Sequence, residues 1–478
     1  MATTQPDPRR WRALAIVCVA FFMTILDVSI VNVALPSIGR SLHISEHSLQ
    51  WIVTSYAITF GGFLLLGGRA ADLLGRRRMF MVGLVLFSAA SLVCGLAGSL
   101  GVLVAARTVQ GLGAAIISPA TLSIITTTFE EGAERNKALG IWGAMGGSGA
   151  AAGVLFGGIL TKYLGWEWIF FVNVPVGALV LALTPRLVRE SRIEAVARRF
   201  DAAGAVTVTA GLALLVYAIS KAPDNGWSSV QTILELIGAG LLLGAFLVIE
   251  TRAAEPLMPF GIFRIRTVTG ANAVGLLLGA VVFANFFLLT LYVQQVLGYS
   301  ALKAGITFLA TAGTTVVVAG IAQALVTRVG PRPVMVAGLA LLVAGMVWYA
   351  QIPVHGRYAS DLLPGYLLVG WGLALSFIPV SIAALAGVSA REAGLASGLI
   401  NTSQQIGGAL GVAIASTVAT SHTSSLLKTG NALPNALTSG FALAFWVLAG
   451  FALAGVVAAA LLIRREEIPE GEPVRVSG

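Results

Sequence analysis

The sequence has few charged residues and few residues that bind metals or act as nucleophiles. Only 11% of its 478 residues are Asp, Glu, Lys or Arg, and it holds two cysteines and four histidines. Soluble domains carry about 25% charged residues. Cys18 and Cys94 both fall within apolar runs, so they cannot form a solvent-side disulfide framework. Apolar and aromatic residues make up 57% of the chain, which predicts a polytopic membrane protein.

The scarcity of reactive residues disfavours an enzyme. All four histidines fall near loops on one side of the predicted membrane, where no cluster at depth could hold a metal. The sequence contains no P-loop, which argues against direct use of ATP, and no stretch typical of an ion-selectivity filter. We therefore expect no enzymatic activity, no cofactor and no metal site.

Fourteen apolar stretches are long enough to span a bilayer, for which a helix needs about 20 residues. They lie near residues 12–34, 49–70, 79–98, 101–125, 138–161, 168–185, 202–220, 231–249, 268–296, 304–325, 333–352, 362–386, 394–420 and 439–463.

The formal net charge of +9 is explained by topology and not by nucleic-acid binding, because the basic residues flank the apolar stretches. With a cytoplasmic N-terminus, 23 of the 30 lysines and arginines lie on the cytoplasmic side and six on the other. Cytoplasmic loops are enriched in Lys and Arg. We therefore expect a plasma-membrane protein with both termini in the cytoplasm and no nucleic-acid partner. The six are Arg40, Lys162, Lys221, Lys303, Arg357 and Lys428.

One acidic residue, Asp27, interrupts the first apolar run. It lies roughly 24 Å along a helix from Trp11 and about 15 Å from the outer end, inside a hydrocarbon core of about 30 Å. An ionised carboxylate at this depth is costly, so such residues usually face a water-filled cavity or a partner on an ion or substrate pathway. We interpret Asp27 as the proton-coupling carboxylate. A satisfied packing carboxylate is the alternative.

The fourth stretch contains the only intramembrane arginine, Arg107, roughly 9 Å from the outer end and near the depth of Asp27. The two side chains can meet across a cavity, as an ion pair or through water. Gln110 follows on the same helix face, so it is predicted to line that cavity. A purely structural pair is the alternative here.

Weak internal similarity predicts two halves. The basic turn at Asp72–Arg78 has a counterpart at Thr327–Arg332, after stretches two and ten. Setting aside stretches seven and eight leaves six plus six, as in transporters whose site lies between parallel halves. The linker Arg186–Asp201 holds five arginines and is predicted to be an amphipathic helix on the inner membrane surface. The expected units are an N-terminal half at 1–185, the linker and inserted helix pair at 186–266, a C-terminal half at 267–463 and a cytoplasmic tail at 464–478.

The turn after stretch two is a candidate gate. Gly75 permits a tight turn, Asp72 can accept N–H bonds or pair with an arginine, and the arginine run stays at the inner interface. The arginines alone would serve topology, but an acid adds little to topology, which favours a conformational role for Asp72. The gating candidates are Gly68, Asp72, Gly75, Arg76 and Arg77.

Glycines recur at helical spacing in stretch five and predict a groove that another helix backbone can approach closely. The set comprises Gly146, Gly149, Gly153, Gly157 and Gly158.

Polar residues in later apolar stretches are substrate-cavity candidates beside Gln110. Asn285 lies in stretch nine, and Asn401, Gln404 and Gln405 share one helix face in stretch thirteen. Interhelical hydrogen bonding worth about 0.6 to 2 kcal/mol is the alternative for all of them.

Four ordered motifs resemble the fourteen-helix drug:proton antiporter family of the major facilitator superfamily, over nearly the whole chain. They are Leu26–Pro36, Gly68–Arg78, Arg107–Gly113 and Gly149–Gly158. The resemblance implies an all-α polytopic membrane protein with the major facilitator fold: two six-helix halves, an inserted helix pair and 14 transmembrane helices. It also implies that the gate turn latches the halves, that Arg107 takes part in proton coupling and that the glycine motif keeps the halves sealed. Val154 replaces the proline of the family's glycine motif.

The implied function is a proton-coupled exporter of amphiphilic drugs or antibiotics, driven by the proton gradient. An apolar cavity with one acid suits neutral or monocationic compounds of many shapes. A dedicated exporter of an endogenous lipid or metabolite is the alternative. We expect a small amphiphilic substrate, protons and membrane lipids as partners, and a monomeric protein.

Overall fold

The computed structural model describes residues 9–130, 133–191, 201–253, 256–258, 260–386, 388 and 393–463. Every regular element in these ranges is helical. The helices begin and end where the sequence provides local signals. Gly75 has a φ of +113°, which separates two long helices by a single residue, and Ser99 accepts a hydrogen bond from the backbone N–H of Val102 at the start of the next helix.

The N-terminal bundle consists of seven helices. α6 and α7 together make one membrane-length segment that is interrupted at Val172. The helices are α1 (Arg10–Ser41), α2 (Glu46–Leu74), α3 (Arg76–Gly95), α4 (Leu100–Thr128), α5 (Ala133–Tyr163), α6 (Trp168–Phe171) and α7 (Asn173–Leu187).

Two helices follow, and then the C-terminal bundle of α10–α15. The inserted pair is α8 (Ala202–Asn225) and α9 (Val230–Arg252), each with a side-chain cap at its start, from Asp201 and Ser229. The C-terminal bundle comprises α10 (Arg266–Leu291), which continues as a π-helical turn at Tyr292–Val296, α11 (Ala301–Val329), α12 (Pro331–Tyr349), α13 (Leu363–Leu385), α14 (Ala393–Lys428) and α15 (Leu433–Leu462).

Twelve helices among the described residues are long and apolar enough to cross a membrane. The chain is therefore a multi-pass membrane protein. The helices α5 and α14 contain 31 and 36 residues, and the twelve do not include them. The count of fourteen spans stays a prediction.

The two bundles repeat one packing pattern. In the N-terminal bundle α1 packs on α5, and both α2 and α3 pack on α4. In the C-terminal bundle α10 packs on α14, and both α11 and α12 pack on α13. The bundles meet along two seams, α2 with α14 and α5 with α11.

The helix ends that include Arg10 and Leu462 form one face of the protein, which we call the terminal face; the other is the opposite face. One apolar cluster joins the opposite-face part of the N-terminal bundle, including Ile30 and Leu103, to C-terminal residues such as Phe308. The terminal-face part of the N-terminal core, including Leu14 and Phe80, forms a separate cluster. The bundles therefore share one apolar core at the opposite face.

The inserted helix α8 covers the α2/α14 seam, and α9 packs on α8. The amide Nε2 of Gln50 donates to Oγ of Ser220 at 3.0 Å, and both side chains are fully buried. The residues Ala57, Leu212 and Ala413, from α2, α8 and α14, belong to one apolar cluster. A single helix thus contacts both bundles.

The predicted amphipathic linker helix is wrong where the structure describes it. Helix α7 ends at Leu187, and residues 188–191 are not helical. They do not continue the helix because Glu190 turns back to the start of α3, where it accepts backbone hydrogen bonds. The rest of the predicted helix, 192–200, lies outside the described residues, as does the predicted tail at 464–478.

Candidate functional site

Asp27 and Arg107 form an ion pair in the interior of the N-terminal bundle. Nη1 of Arg107 donates to Oδ2 of Asp27 at 2.5 Å, and the two residues are 1% and 0% exposed, respectively. The predicted contact between α1 and α4 is therefore present. Removing one member of such a pair would leave a buried charge without its counter-charge, which costs about 3–5 kcal/mol.

Arg107 has further contacts that do not involve Asp27. Its Nε donates to the carbonyl oxygen of Ile52 at 3.0 Å, and its guanidinium lies 4.2 Å from the ring centroid of Tyr56. Both contacts come from α2. They can hold the guanidinium in place when the carboxylate changes its charge, since carbonyl oxygens and ring faces both attract cations.

The second carboxylate oxygen of Asp27 is held by two amides. Nε2 of Gln110 and Nδ2 of Asn173 each donate to Oδ1 at 2.9 Å. The same amide nitrogens donate to Oγ of Ser91, at 3.2 and 3.0 Å, and that hydroxyl donates to the carbonyl of Phe170 at 2.9 Å. We call Gln110, Asn173 and Ser91 the amide clamp. Its three side chains are at most 1% exposed.

The amide clamp changes the interpretation of Gln110, which the sequence places on a cavity wall. In this conformation Gln110 is fully buried, and its amide oxygen accepts from Nη1 of Arg107 at 2.7 Å. Asp27 does not face a water-filled cavity either, since it is 0% exposed. Both residues are satisfied by protein groups, because side chains of α4 and α7 bind the carboxylate of Asp27 and Ser91 of α3 holds the two amides.

The candidate gate turn makes its polar contacts within the N-terminal bundle. Oδ1 of Asp72 accepts from Nε and Nη2 of Arg76 at 3.0 and 2.8 Å, and from Oγ of Ser123 on α4 at 3.0 Å. Gly68 approaches the same helix, since a β-carbon on it would lie 3.4 Å from Cβ of Pro119. None of these contacts crosses to the C-terminal bundle in this conformation.

Glu190, which follows the end of α7, binds the gate turn. Its two carboxylate oxygens accept the backbone N–H groups of Arg77 and Arg78, both at 3.1 Å, in the first turn of α3. The partial positive charge of a helix N-terminus stabilises a carboxylate at this position. Gly75 fits closely, because a β-carbon there would lie 2.8 Å from Oε1 of Glu190. The segment after α7 is thereby fixed to the α2–α3 turn.

The glycine motif of α5 serves two different neighbours. Gly149, Gly153 and Gly157 face α1, where a β-carbon on Gly157 would lie 2.9 Å from the carbonyl oxygen of Ile30. Gly158 faces α11, where a β-carbon would lie 2.7 Å from Cα of Leu302. Gly146 lies in the same helix, one turn before Gly149.

At the α5/α11 seam, glycines of both helices let the two backbones approach each other closely. Gly305 of α11 would place a β-carbon 2.6 Å from the carbonyl oxygen of Val154. Val154 stands where the family pattern has proline, and it lies inside the continuous helix Ala133–Tyr163. The seam thus combines glycines from both bundles.

The remaining cavity candidates are not gathered at Asp27. Asn285 is 2% exposed, and its Oδ1 has no hydrogen-bond partner among the described residues. Asn401 is exposed and donates to the carbonyl of Ser397 on its own helix at 2.8 Å. Gln404 packs on Gly279 of α10, and the Cβ of Gln405 lies near Gly61 of α2. Gln404 and Gln405 therefore lie on contact surfaces of α14, against α10 and α2, whereas Asn401 is exposed.

Comparison with known proteins identifies the fold. Residues 17–412 match the Major Facilitator Superfamily. The chain is 40% identical over 460 residues to the puromycin resistance protein of Streptomyces alboniger, covering 96% of this chain and 91% of that protein. It is also 40% identical to the cephamycin export protein CmcT of Amycolatopsis lactamdurans, with 92% and 90% covered.

The chain belongs to the Major Facilitator Superfamily. A crystal structure of an auto-inhibited POT family peptide transporter superposes with a TM-score of 0.70, covering 97% of this chain and 99% of that one at 17% identity. This structural likeness concerns the fold alone. The predicted all-α major facilitator fold is confirmed.

In this major facilitator chain, three residues of the site were not found by sequence reasoning. Asn173 carried a usable signal, because it is a polar residue in an apolar run, as Asn285 is. Ser91 and Glu190 carried none, since serines are common in membrane helices and Glu190 lies in a charged linker.

Proposed function

We propose that the chain is a proton-driven antiporter that exports amphiphilic drugs or antibiotics across the cell membrane. The observation that carries the proposal is the buried pair of Asp27 and Arg107, because ionisable groups inside a membrane bundle mark ion and proton pathways. The names of two relatives, a puromycin resistance protein and a cephamycin export protein, support the substrate class. The activity is transport and not catalysis.

The proposed organisation follows the sequence units. An N-terminal half spans 1–185, the linker and inserted pair 186–266, and a C-terminal half 267–463, with fourteen spans in total. The repeated packing of α1–α7 and α10–α15 supports the two halves. The excess of Lys and Arg on the terminal face supports cytoplasmic termini. The protein works as a monomer, with the site inside one chain.

Proton and substrate oppose each other through the charge of the pair. While Asp27 is ionised it neutralises Arg107, and a cationic substrate can bind nearby without meeting a net positive charge. A proton on Asp27 leaves the guanidinium uncompensated, which repels such a substrate. Each ligand thus favours a state that the other disfavours, and this coupling is what exchange requires.

The gate turn sets the conformation and not the affinity. Asp72 holds the α2–α3 turn against α4 through Arg76 and Ser123. Along α2 it lies roughly 30 Å from Ile52, whose carbonyl contacts Arg107. Loss of the contacts of Asp72 changes which conformation of the transporter the turn stabilises. The binding groups around Asp27 are untouched by it.

The deciding experiment compares the wild-type protein with Asp27→Asn in proteoliposomes under an imposed pH gradient. Radiolabelled puromycin and internal pH are followed together, and Asp224→Asn, an exposed acid at the end of α8, is the matched control. We expect the wild type and the control to accumulate substrate against its gradient. Asp27→Asn should lose accumulation and proton flux but keep downhill exchange. Accumulation with wild-type proton stoichiometry in Asp27→Asn would mean that another residue carries the proton.

A further inference from the structure

The amide clamp occupies one oxygen of Asp27 and leaves the other to Arg107. A carboxylate oxygen has two in-plane lone pairs, and Oδ1 already receives two N–H donors, from Gln110 and Asn173. Oδ2 receives the guanidinium. The two oxygens of the carboxylate are therefore in different environments: neutral amide donors occupy both lone pairs of Oδ1, whereas Oδ2 contacts a charged group.

Ser91 fixes the direction in which both amides point. Its hydroxyl donates to the carbonyl of Phe170 and so presents its lone pairs to the amide nitrogens of Gln110 and Asn173. Each NH2 group then uses one hydrogen for Ser91 and one for Asp27. Turning either amide over would place its oxygen against Oδ1, and two acceptors would face each other in a buried site.

We infer that Asn173 and Ser91 are positioning residues that direct the transported proton to Oδ2 of Asp27, the oxygen that Arg107 holds. A proton on Oδ1 would have to displace an amide donor, whereas Oδ2 keeps a free lone pair. Protonation of Oδ2 turns the acceptor of Arg107 into an uncharged hydroxyl oxygen, which accepts more weakly. Proton binding thereby loosens the ion pair directly. The inference rests on the proposed proton-coupling role of Asp27.

The released guanidinium has a place to remain. The carbonyl of Ile52 and the ring of Tyr56 still contact it, and both belong to α2, one of the seam helices. When Oδ2 is protonated, the contact of Arg107 with Asp27 on α1 therefore weakens, while its contacts with α2 remain. This shift links protonation to the helix that packs against α14.

The test follows substrate-induced proton release from the purified full-length protein in detergent, as a function of pH, with puromycin as the probe. Asn173→Ala removes one donor from Oδ1, so a proton can bind there without disturbing Arg107. Loss of a donor also makes the ionised form less favourable. We expect the midpoint of proton release to rise by about one pH unit, the size expected for one hydrogen bond to a charged group. Ser91→Ala should move it in the same direction by less.

A double substitution separates positioning from packing. Arg107→Lys should shift the midpoint of proton release in the otherwise wild-type protein. The shift should be clearly smaller in the Asn173→Ala background, because the proton can bind Oδ1 there, away from the oxygen that residue 107 contacts. The matched control is Asn272→Ala, a buried amide that bonds Val268 and Ser403 in the C-terminal bundle. It should leave the midpoint unchanged.

The outcomes are distinct. A lower yield or rate in both Asn173→Ala and Ser91→Ala with the wild-type midpoint would show a structural role only and overturn the inference. Equal effects of Arg107→Lys in the two backgrounds would also overturn it. Proton release that persists in Asp27→Asn would instead overturn the proposed function, and Asp27→Asn is therefore measured alongside as the blank.

Discussion

A β-carbon on Gly153 of α5 would lie 2.7 Å from the carbonyl oxygen of Leu26 on α1. The two helices thus touch backbone to backbone, one residue from Asp27. Substitution of Gly153 by leucine should force α5 away from α1 at a cost of about 1–3 kcal/mol, because the extra side chain has no space. We expect the protein to be produced but to lose coupled transport, measured as puromycin accumulation in proteoliposomes.

The control for this prediction is Gly313→Leu. A β-carbon on Gly313 of α11 would meet no atom within 4 Å, so a leucine there has space. It should retain wild-type transport. Full coupled transport in Gly153→Leu would show that the close crossing of α1 and α5 is not needed.

Asp72→Asn tests the gate turn. Asparagine keeps an acceptor for Ser123 but removes the negative charge that holds Arg76. We expect transport to slow severely while equilibrium ligand binding changes by less than about tenfold, or roughly 1.4 kcal/mol. The comparison variant Ser123→Ala removes the contact with α4 and keeps the charge, so it should be milder. Normal transport rates in Asp72→Asn would remove the gate from the mechanism.

Glu190→Ala tests the anchor between the segment after α7 and the start of α3. The substitution leaves the N–H groups of Arg77 and Arg78 without their acceptor, and losing a helix cap costs about 0.5–2 kcal/mol. Thermal unfolding of the purified protein should move to lower temperature, with Glu190→Gln intermediate because it keeps one acceptor oxygen. Identical unfolding of all three proteins would show that the cap contributes no stability.

A disulfide between α2 and α8 tests how the inserted pair moves. A β-carbon on Gly62 would lie 3.1 Å from Cβ of Thr209, so α2 and α8 need to separate by about 0.5 Å to reach the 3.5–4.5 Å found in disulfides. Gly62→Cys with Thr209→Cys should form the disulfide once the two helices have shifted by this amount. Transport should persist, because the bonded pair Gln50 and Ser220 already ties α8 to α2.

The companion tether joins α8 to the other bundle. Ile219→Cys and Thr417→Cys, bridged by a short thiol cross-linker, fix α8 to α14, where Oγ1 of Thr417 lies 3.5 Å from the carbonyl oxygen of Ile219. This tether should stop transport reversibly, as judged after cleavage of the linker. Loss of transport with the α2 tether alone, or equal transport with both tethers, would contradict the expectation that α8 moves together with α2.

The helices could be predicted because each is a long apolar run, but their connections could not. The break at Val172 lies inside an apolar run and leaves no trace in hydropathy. The linker after Leu187 has a helix-like charge pattern, yet residues 188–191 leave the helix because Glu190 binds α3. A tertiary contact decided the local structure there.

The central pair was predictable for a different reason. Depth along two helices placed Asp27 and Arg107 at one level, and few charges occur in the membrane, so their contact follows from the sequence. The positions of neutral residues around them depend on how helices are rotated against each other. Asn173 and Ser91 come from α7 and α3, and nothing in a single sequence fixes those rotations.

The apolar cluster that contains Ile30, Leu103 and Phe308 affects how the protein can be blocked. An inhibitor arriving from the opposite face would have to part this cluster, and each 100 Å² of apolar surface exposed to water costs about 2.5 kcal/mol. Few small molecules gain this much free energy from their own contacts with the protein. With the terminal face in the cytoplasm, as proposed above, a compound that competes at Asp27 from that face has to cross the membrane first, so membrane permeability becomes a design requirement for such a blocker.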